Sequence, residues 1–321
     1  MLGNIAELII GLLLLIWGAD RFVHGAGATA RNLGVAPLLI GLTIVAFATS
    51  APEILISIVA AFRGETDLAV GNAIGSNITN IGLVLGGVAL LKPIEITSSI
   101  LRQKMLVLLA VTLLTAFLFL DYYLSLGDGV ILLTSLLIVM VWLCRLGSRS
   151  STDDSITADY KAKISHHVSM RATVFWLIIG LATLLVGAEL MVNSALEIAR
   201  ALGVTELVIG IVLIALATSL PEFVVSLVSV IKGEYGLALG NIVGSNIFNL
   251  LAVIGAAAII EPARLPSSVL SLHIIVLIAF TLVLFVIIYR YNGKNHISRL
   301  QGLAFLIAFL AYDTYVVAQN V

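Results

Sequence analysis

The sequence is short of most of what a soluble enzyme is built from. Among 321 residues there is a single cysteine, Cys144, so no internal disulfide can form. Charged residues make up 11% of the chain against 60% apolar ones, far from the balance of a soluble domain. The formal net charge is −1, and no basic patch marks a nucleic-acid partner. There is no HExxH pair, and no span sets a Ser–His or Cys–His pair beside a midspan acid. Nothing therefore points to an enzyme, to a cofactor or to an obligate protein partner. No Lys or Arg precedes the first apolar run, "MLGNIAELII", which reads as a first span rather than a cleaved leader.

What is present is a succession of apolar runs of about 20 residues, the length that crosses a lipid bilayer. Punctuated by Gly, Pro and charge, they predict an all-α polytopic membrane protein with about ten transmembrane helices. The expected spans lie near 4–23, 36–62, 68–91, 101–120 and 127–146, then 172–195, 204–231, 237–260, 268–289 and 299–318. With the N-terminus outside, about 14 Lys and Arg fall in cytoplasmic loops, and about three (Arg63, Arg200 and Arg264) fall outside. Both termini are accordingly expected on the outer, periplasmic side. The longest polar segment, "LGSRSSTDDSITADYKAKISHH", becomes a cytoplasmic linker over 148–170. It joins a first five-helix repeat, 1–147, to a second, 171–321.

The two halves are the same sequence twice. Residues 41–86 align without a gap on 210–255, with about 22 identities in about 46 positions. Outside that block Asp20 falls on Glu189, Arg31 on Arg200, Gly34 on Gly203 and Pro93 on Pro262. Five spans separate the copies, an odd number, so the repeats are inverted. Inverted repeats with matching helix interruptions are the best sequence pointer to a secondary transporter and its midplane site.

Here the interruptions are "ATSAPE" and "ATSLPE". Pro52 and Pro221 cannot donate a backbone bond and crowd the carbonyls of Ala48 and Ala217. Neighbouring carbonyls, including those of Ala46 and Ala215, are expected to turn towards a ligand. Glu53 and Glu222 follow directly, and an acid at the bilayer midplane is a functional candidate by default. Inversion brings the two segments together, adding the hydroxyls of Thr49, Ser50, Thr218 and Ser219. Such hard oxygen donors suit Ca²⁺ or Na⁺ rather than zinc or copper. The following spans carry "GNAIGSNITN" and "GNIVGSNIFN". They aim Ser76, Asn77, Asn80 and Ser245, Asn246, Asn249 into the bundle, with interhelical hydrogen bonding as the alternative role for Asn77 and Asn246. Asp20 and Glu189 read as span-end acids, and His273 as a satisfied core histidine.

The paired TSxPE and GNxxGSNxxN segments resemble the two repeats of the cation/calcium exchanger superfamily, in its sodium/calcium exchanger branch. The resemblance covers nearly the whole chain and implies an antiporter working by alternating access, with Ca²⁺ and Na⁺ as its transported ions. By position it implies that Glu53 and Glu222 hold Ca²⁺ with the Thr49 and Thr218 carbonyls. Ala46, Ser50, Ser76, Ala215, Ser219 and Ser245 would complete sodium sites, and Asn80 and Asn249 would line the centre. Cation/proton members carry a different acidic motif, which favours sodium coupling and leaves a Ca²⁺/H⁺ antiporter as the alternative and a cation channel as the more distant one. Asn249 stands where potassium-dependent relatives have Asp, which argues against potassium co-transport. Three Na⁺ for one Ca²⁺ is the exchange the resemblance suggests. The short linker, without a sensor domain, points to a prokaryotic exchanger of the inner (cytoplasmic) membrane, surrounded by lipid.

Overall fold

The computed structural model describes residues 2–96, 99–149, 169–201, 218–289 and 295–320. Ala215, the first part of the seventh expected span and nearly all of the 148–170 linker lie outside the described residues. The helices are α1 (Leu2–Leu33), α2 (Pro37–Thr49), α3 (Ala51–Phe62), α4 (Thr66–Leu91), α5 (Ser99–Leu118) and α6 (Leu126–Arg149). The second half supplies α7 (Met170–Ala201), α8 (Leu220–Ile231), α9 (Tyr235–Ile260), α10 (Val269–Tyr289) and α11 (Arg299–Asn320).

Among the described residues seven helices are long and apolar enough to cross a membrane, or eight when the bent pair α2 and α3 counts as one span. With α1 and the described end of the seventh span, α8, the order is that of a ten-helix frame. The surface differs from that of a soluble protein in carrying large apolar side chains, and the interior holds several polar ones. Leu13, Phe62, Phe117 and Leu300 are exposed, while Thr49, Asn77, Asn246 and Thr281 are buried. The outer face is apolar because it meets lipid, and the polar residues lie within an otherwise apolar interior that includes Leu42, Val84 and Leu250.

Four short strands display the inversion directly. β1 (Ile94–Ile96) pairs antiparallel with β4 (Asn295–Ile297), and β2 (Tyr123–Leu124) pairs with β3 (Ala263–Arg264). Each two-stranded sheet thus takes one strand from each half. β1 and β3 both follow the third span of their repeat, as β2 and β4 both follow the fourth. Counting crossings puts the two sheets at opposite membrane faces.

Helix packing repeats the exchange. α11 lies on the C-terminal part of α4, and α6 lies on the C-terminal part of α9. α4 and α9 are the interior spans. Their apolar windows are 72% and 83% buried, against 17% for α6 and for α11. α1 and α7 run side by side along a glycine seam. A methyl on Gly11 would meet the Met191 nitrogen at 2.7 Å, and one on Gly25 would meet the Leu177 nitrogen at the same distance. Gly18 and Gly180 are closer still, against Leu184 and Phe22. Only residues without a side chain let two backbones approach so nearly.

Candidate cation site

Each repeat has the same backbone geometry at one serine of its second span, just before a helix begins. Ser50, between α2 and α3, has φ −81° and ψ 4°, and Ser219, just before α8, has φ −89° and ψ 3°. Both occupy the sparsely populated bridge region. These serines lie inside the ATSAPE and ATSLPE segments where the sequence puts the interruptions, and Pro52 and Pro221 lie in the first turn of the helix that follows. A missing N–H is harmless there, because that turn has no preceding carbonyl to serve. The proline nevertheless excludes a straight helix, which would require it to donate to the carbonyl four residues back. The chain turns at the serine instead, and α2 and α3 diverge by 46°.

The place of the break changes one expectation. The Ala46 carbonyl, anticipated as turned out of the helix, accepts the Ser50 N–H at 2.9 Å. The Thr49 hydroxyl, 3.3 Å from it, is shared with Asn241 Oδ1 at 3.0 Å. The break follows Thr49 rather than preceding it, so Ala46 still belongs to the last turn of α2. The carbonyl that loses its helical donor to Pro52 is that of Ala48.

Glu53 and Glu222 stand in the first turns of α3 and α8, each about 1% exposed, where the amide ends of a helix favour negative charge. The Ser50 hydroxyl donates to Glu222 Oε1 at 3.3 Å, joining the two halves at the acid itself. Thr49 extends the join, with Ser245 Oγ 3.4 Å from its hydroxyl.

Asn80 and Asn249 occupy matching places too. Each opens a short π-helical stretch in the middle of an interior span, Asn80–Leu85 in α4 and Asn249–Val253 in α9. Such a local widening of the helix is often found at functional sites. Asn80 Nδ2 donates to Asn246 Oδ1 at 3.1 Å, and Asn77 Nδ2 donates to the Asn246 carbonyl at 3.2 Å. Asn77 and Asn246 therefore stitch the repeats together.

Among the described residues several buried atoms in this region have no hydrogen-bond partner: Glu53 Oε2, Glu222 Oε2, Ser219 Oγ, Asn80 Oδ1 and both side-chain polar atoms of Asn249. Burying a single such group costs about 1–3 kcal/mol, and a charged one costs more. So many together on converging elements imply a ligand, and nearly all are oxygens. Carboxylate, hydroxyl and amide oxygens form a hard donor set for Ca²⁺ or Na⁺. Among the described residues no three of His, Cys, Asp and Glu converge, so a cage for a softer metal is not built there. Ser76 and Ser245 are buried on α4 and α9, and Thr218 is half-buried beside Ser219.

Four residues of the region escaped the sequence reading. Asn72 and Ser57, with their repeat counterparts Asn241 and Ser226, form one small hydrogen-bonded cluster in each half. The signal that could have found them was their identity in both copies. The peripheral groups behave as expected. Asp20 pairs with Lys232 at 2.7 Å, and His273 Nδ1 lies 2.7 Å from the Tyr312 hydroxyl.

Similarity to known proteins runs along nearly the whole chain. The profile of the family described as sodium/calcium exchanger protein matches residues 4–145 and 172–318. CaxA of Alkalimonas amylolytica is 43% identical over 305 residues, covering 95% of this chain and 96% of that one. Inner membrane protein YrbG of Escherichia coli is 39% identical over 268 residues, covering 83% and 82%. The solved structure of the sodium-calcium exchanger NCX_Mj superposes with a TM-score of 0.82 at 34% identity, over 96% of each chain.

Proposed function

The chain belongs to the sodium/calcium exchanger family, a family of cation antiporters, and on that premise we propose that it exchanges Na⁺ for Ca²⁺ without potassium and with net movement of charge. One observation carries the reading. Two buried carboxylates, one from each inverted repeat, stand in first helical turns, and the Ser50 hydroxyl at the head of the Glu53 turn donates to Glu222 of the other. Two negative charges offset one divalent ion, and the oxygens around them replace its hydration shell. Glu53 and Glu222 hold the ion with the Thr49 and Thr218 carbonyls. Ser50, Ser76, Ser219 and Ser245 complete the places for Na⁺, with Ala46 through the carbonyl lone pair that the Ser50 N–H leaves free and Ala215 by its repeat position, and Asn80 and Asn249 line the centre. Rocking of one set of helices against the other exposes this fixed site to each side in turn. No covalent step and no cofactor is involved, so the chain is a carrier and not an enzyme.

The membrane we assign is the cytoplasmic membrane of a prokaryote, with both termini outside. The asymmetry of Lys and Arg supports the orientation, and the name of the Escherichia coli relative supports the membrane. The test is Ca²⁺ uptake into proteoliposomes holding the purified protein. A sodium gradient directed outwards should drive uptake, and a proton gradient of the same size should not. Uptake driven by protons alone would replace this reading with Ca²⁺/H⁺ exchange.

A further inference from the structure

Asn72 and Asn241 are not among the residues assigned to the ions, yet each grips a broken helix at two points. Asn72 Nδ2 lies 3.4 Å from the Glu53 carbonyl oxygen and 3.0 Å from Ser57 Oγ. Asn241 Nδ2 lies 3.3 Å from the Glu222 carbonyl oxygen and 3.1 Å from Ser226 Oγ. The gripped residues are four apart in each case and so stack on one helix face. A helix held at two places along one line cannot turn about its axis without breaking a bond.

That restraint matters because of where the helices begin. α3 starts at the break, and α2 has already bent away by 46°, so no preceding turn sets its rotation. α8 starts after the same serine geometry. Glu53 and Glu222 lie in those first turns, where a small rotation swings a carboxylate out of the centre. Both asparagines belong to interior spans, α4 and α9, which are rigid references for the broken helices. Asn241 does more than Asn72 is seen to do. Its Oδ1 accepts the Thr49 hydroxyl of the opposite half at 3.0 Å, so one side chain ties the Glu222 turn to the α2 turn across the repeat boundary.

We infer that Asn72 and Asn241 are positioning residues for cation exchange, setting the rotation of the two acid-bearing turns so that their carboxylates converge on one ion. The inference rests on the reading of Glu53 and Glu222 as ion ligands. Outer partners that orient metal ligands are worth about 10–100-fold in affinity.

The experiment uses the full chain, with Ca²⁺ as the probe. Two readouts are taken for Asn72→Ala, Asn241→Ala and Glu222→Gln: half-saturation of sodium-driven Ca²⁺ uptake in proteoliposomes, and the Ca²⁺ concentration that half-raises the thermal unfolding midpoint in detergent. Each Asn→Ala variant should raise both half-saturation values about tenfold or more, with a smaller change in the maximal rate. A role confined to folding would lower the midpoint without Ca²⁺ and leave half-saturation at the wild-type value, which overturns the inference. Wild-type half-saturation in Glu222→Gln would instead sink the ligand reading. Loss of the Ca²⁺ response in Glu222→Gln, with unchanged Asn→Ala variants, would sink the positioning role alone. Should Asn241→Ala not be recovered folded, Asn72→Ala answers by itself, since that residue makes the same two bonds from a half-buried position.

Discussion

An acidic side chain at the centre of a membrane helix costs about 2.5–3.5 kcal/mol on insertion scales, and this chain keeps two of them. Among the described residues Glu53 and Glu222 are the only acids that are fully buried. Their place was legible in the sequence, because an acid beside a proline inside an apolar run is costly to insert and breaks the helix, and this chain repeats the pair in both halves. The neighbours that orient them were less legible. Asn72 and Ser57 are ordinary polar residues until the structure shows one amide bridging the Glu53 carbonyl and the Ser57 hydroxyl. Glu53→Gln and Glu222→Gln keep the shape and most of the hydrogen bonding of each side chain while removing half the charge that offsets Ca²⁺. Each should abolish sodium-driven Ca²⁺ uptake. Each should still elute as a folded species with an unfolding midpoint near that of the wild type, since the amide keeps the size of the side chain and removes a buried charge. Near-normal uptake in either variant would remove that residue from the site.

At the scale of the element, hydropathy gave span positions but not their internal geometry. The break was expected within the two TSxPE segments and falls at their serines, Ser50 and Ser219, since proline sits comfortably in a first helical turn and it is the chain before it that must bend. The π-helical stretches at Asn80 and Asn249 left no trace in the spacing, which looks the same for an α-helix with one extra residue per turn over so short a length. The seam between α1 and α7 was readable in principle, as Gly11, Gly18 and Gly25 recur every seven residues, opposite Gly180 and Gly187. In a bilayer, where lipid and leucine are equally apolar, such close backbone contact is what holds helices together. Replacing Gly180 by Val drives a branched side chain into the backbone at Phe22. Overpacking typically costs about 1–3 kcal/mol, and here the obstruction is main chain that cannot swing away. Gly180→Val should therefore lower the unfolding midpoint in detergent by several degrees or prevent recovery of the protein. Gly3→Val, which has no atom within 4 Å of the added carbon, should be indistinguishable from wild type; equal stability of the two variants would refute the seam.

At the scale of the molecule, inversion followed from the odd number of spans between the copies, and the two sheets that each borrow a strand from either half display it. That α4 and α9 turn polar side chains into the bundle followed from their repeated asparagines and serines, not from hydropathy. Membrane helices are apolar on both their lipid and their protein faces, so hydropathy cannot separate the buried α4 and α9 from the lipid-facing α6 and α11. Inversion also sets the charge of the transport cycle. Because each half brings one carboxylate and Asn249 adds none, the centre carries two formal negative charges in whichever direction the site opens. One Ca²⁺ neutralises them, leaving no electrostatic demand for a further monovalent ion, so potassium should be neither required nor carried. Three Na⁺ in place of one Ca²⁺ leave one positive charge in excess, and each elementary charge crossing the membrane is worth about 2.3 kcal/mol per 100 mV. In sodium-loaded vesicles, replacing potassium by choline should leave Ca²⁺ uptake unchanged at a clamped potential. Making the inside more positive should speed that uptake, because the outward step carries the surplus charge. Uptake that vanishes without potassium would refute the argument from Asn249, whereas uptake indifferent to voltage would refute the three-for-one exchange and leave the two-charge centre to be matched by two Na⁺.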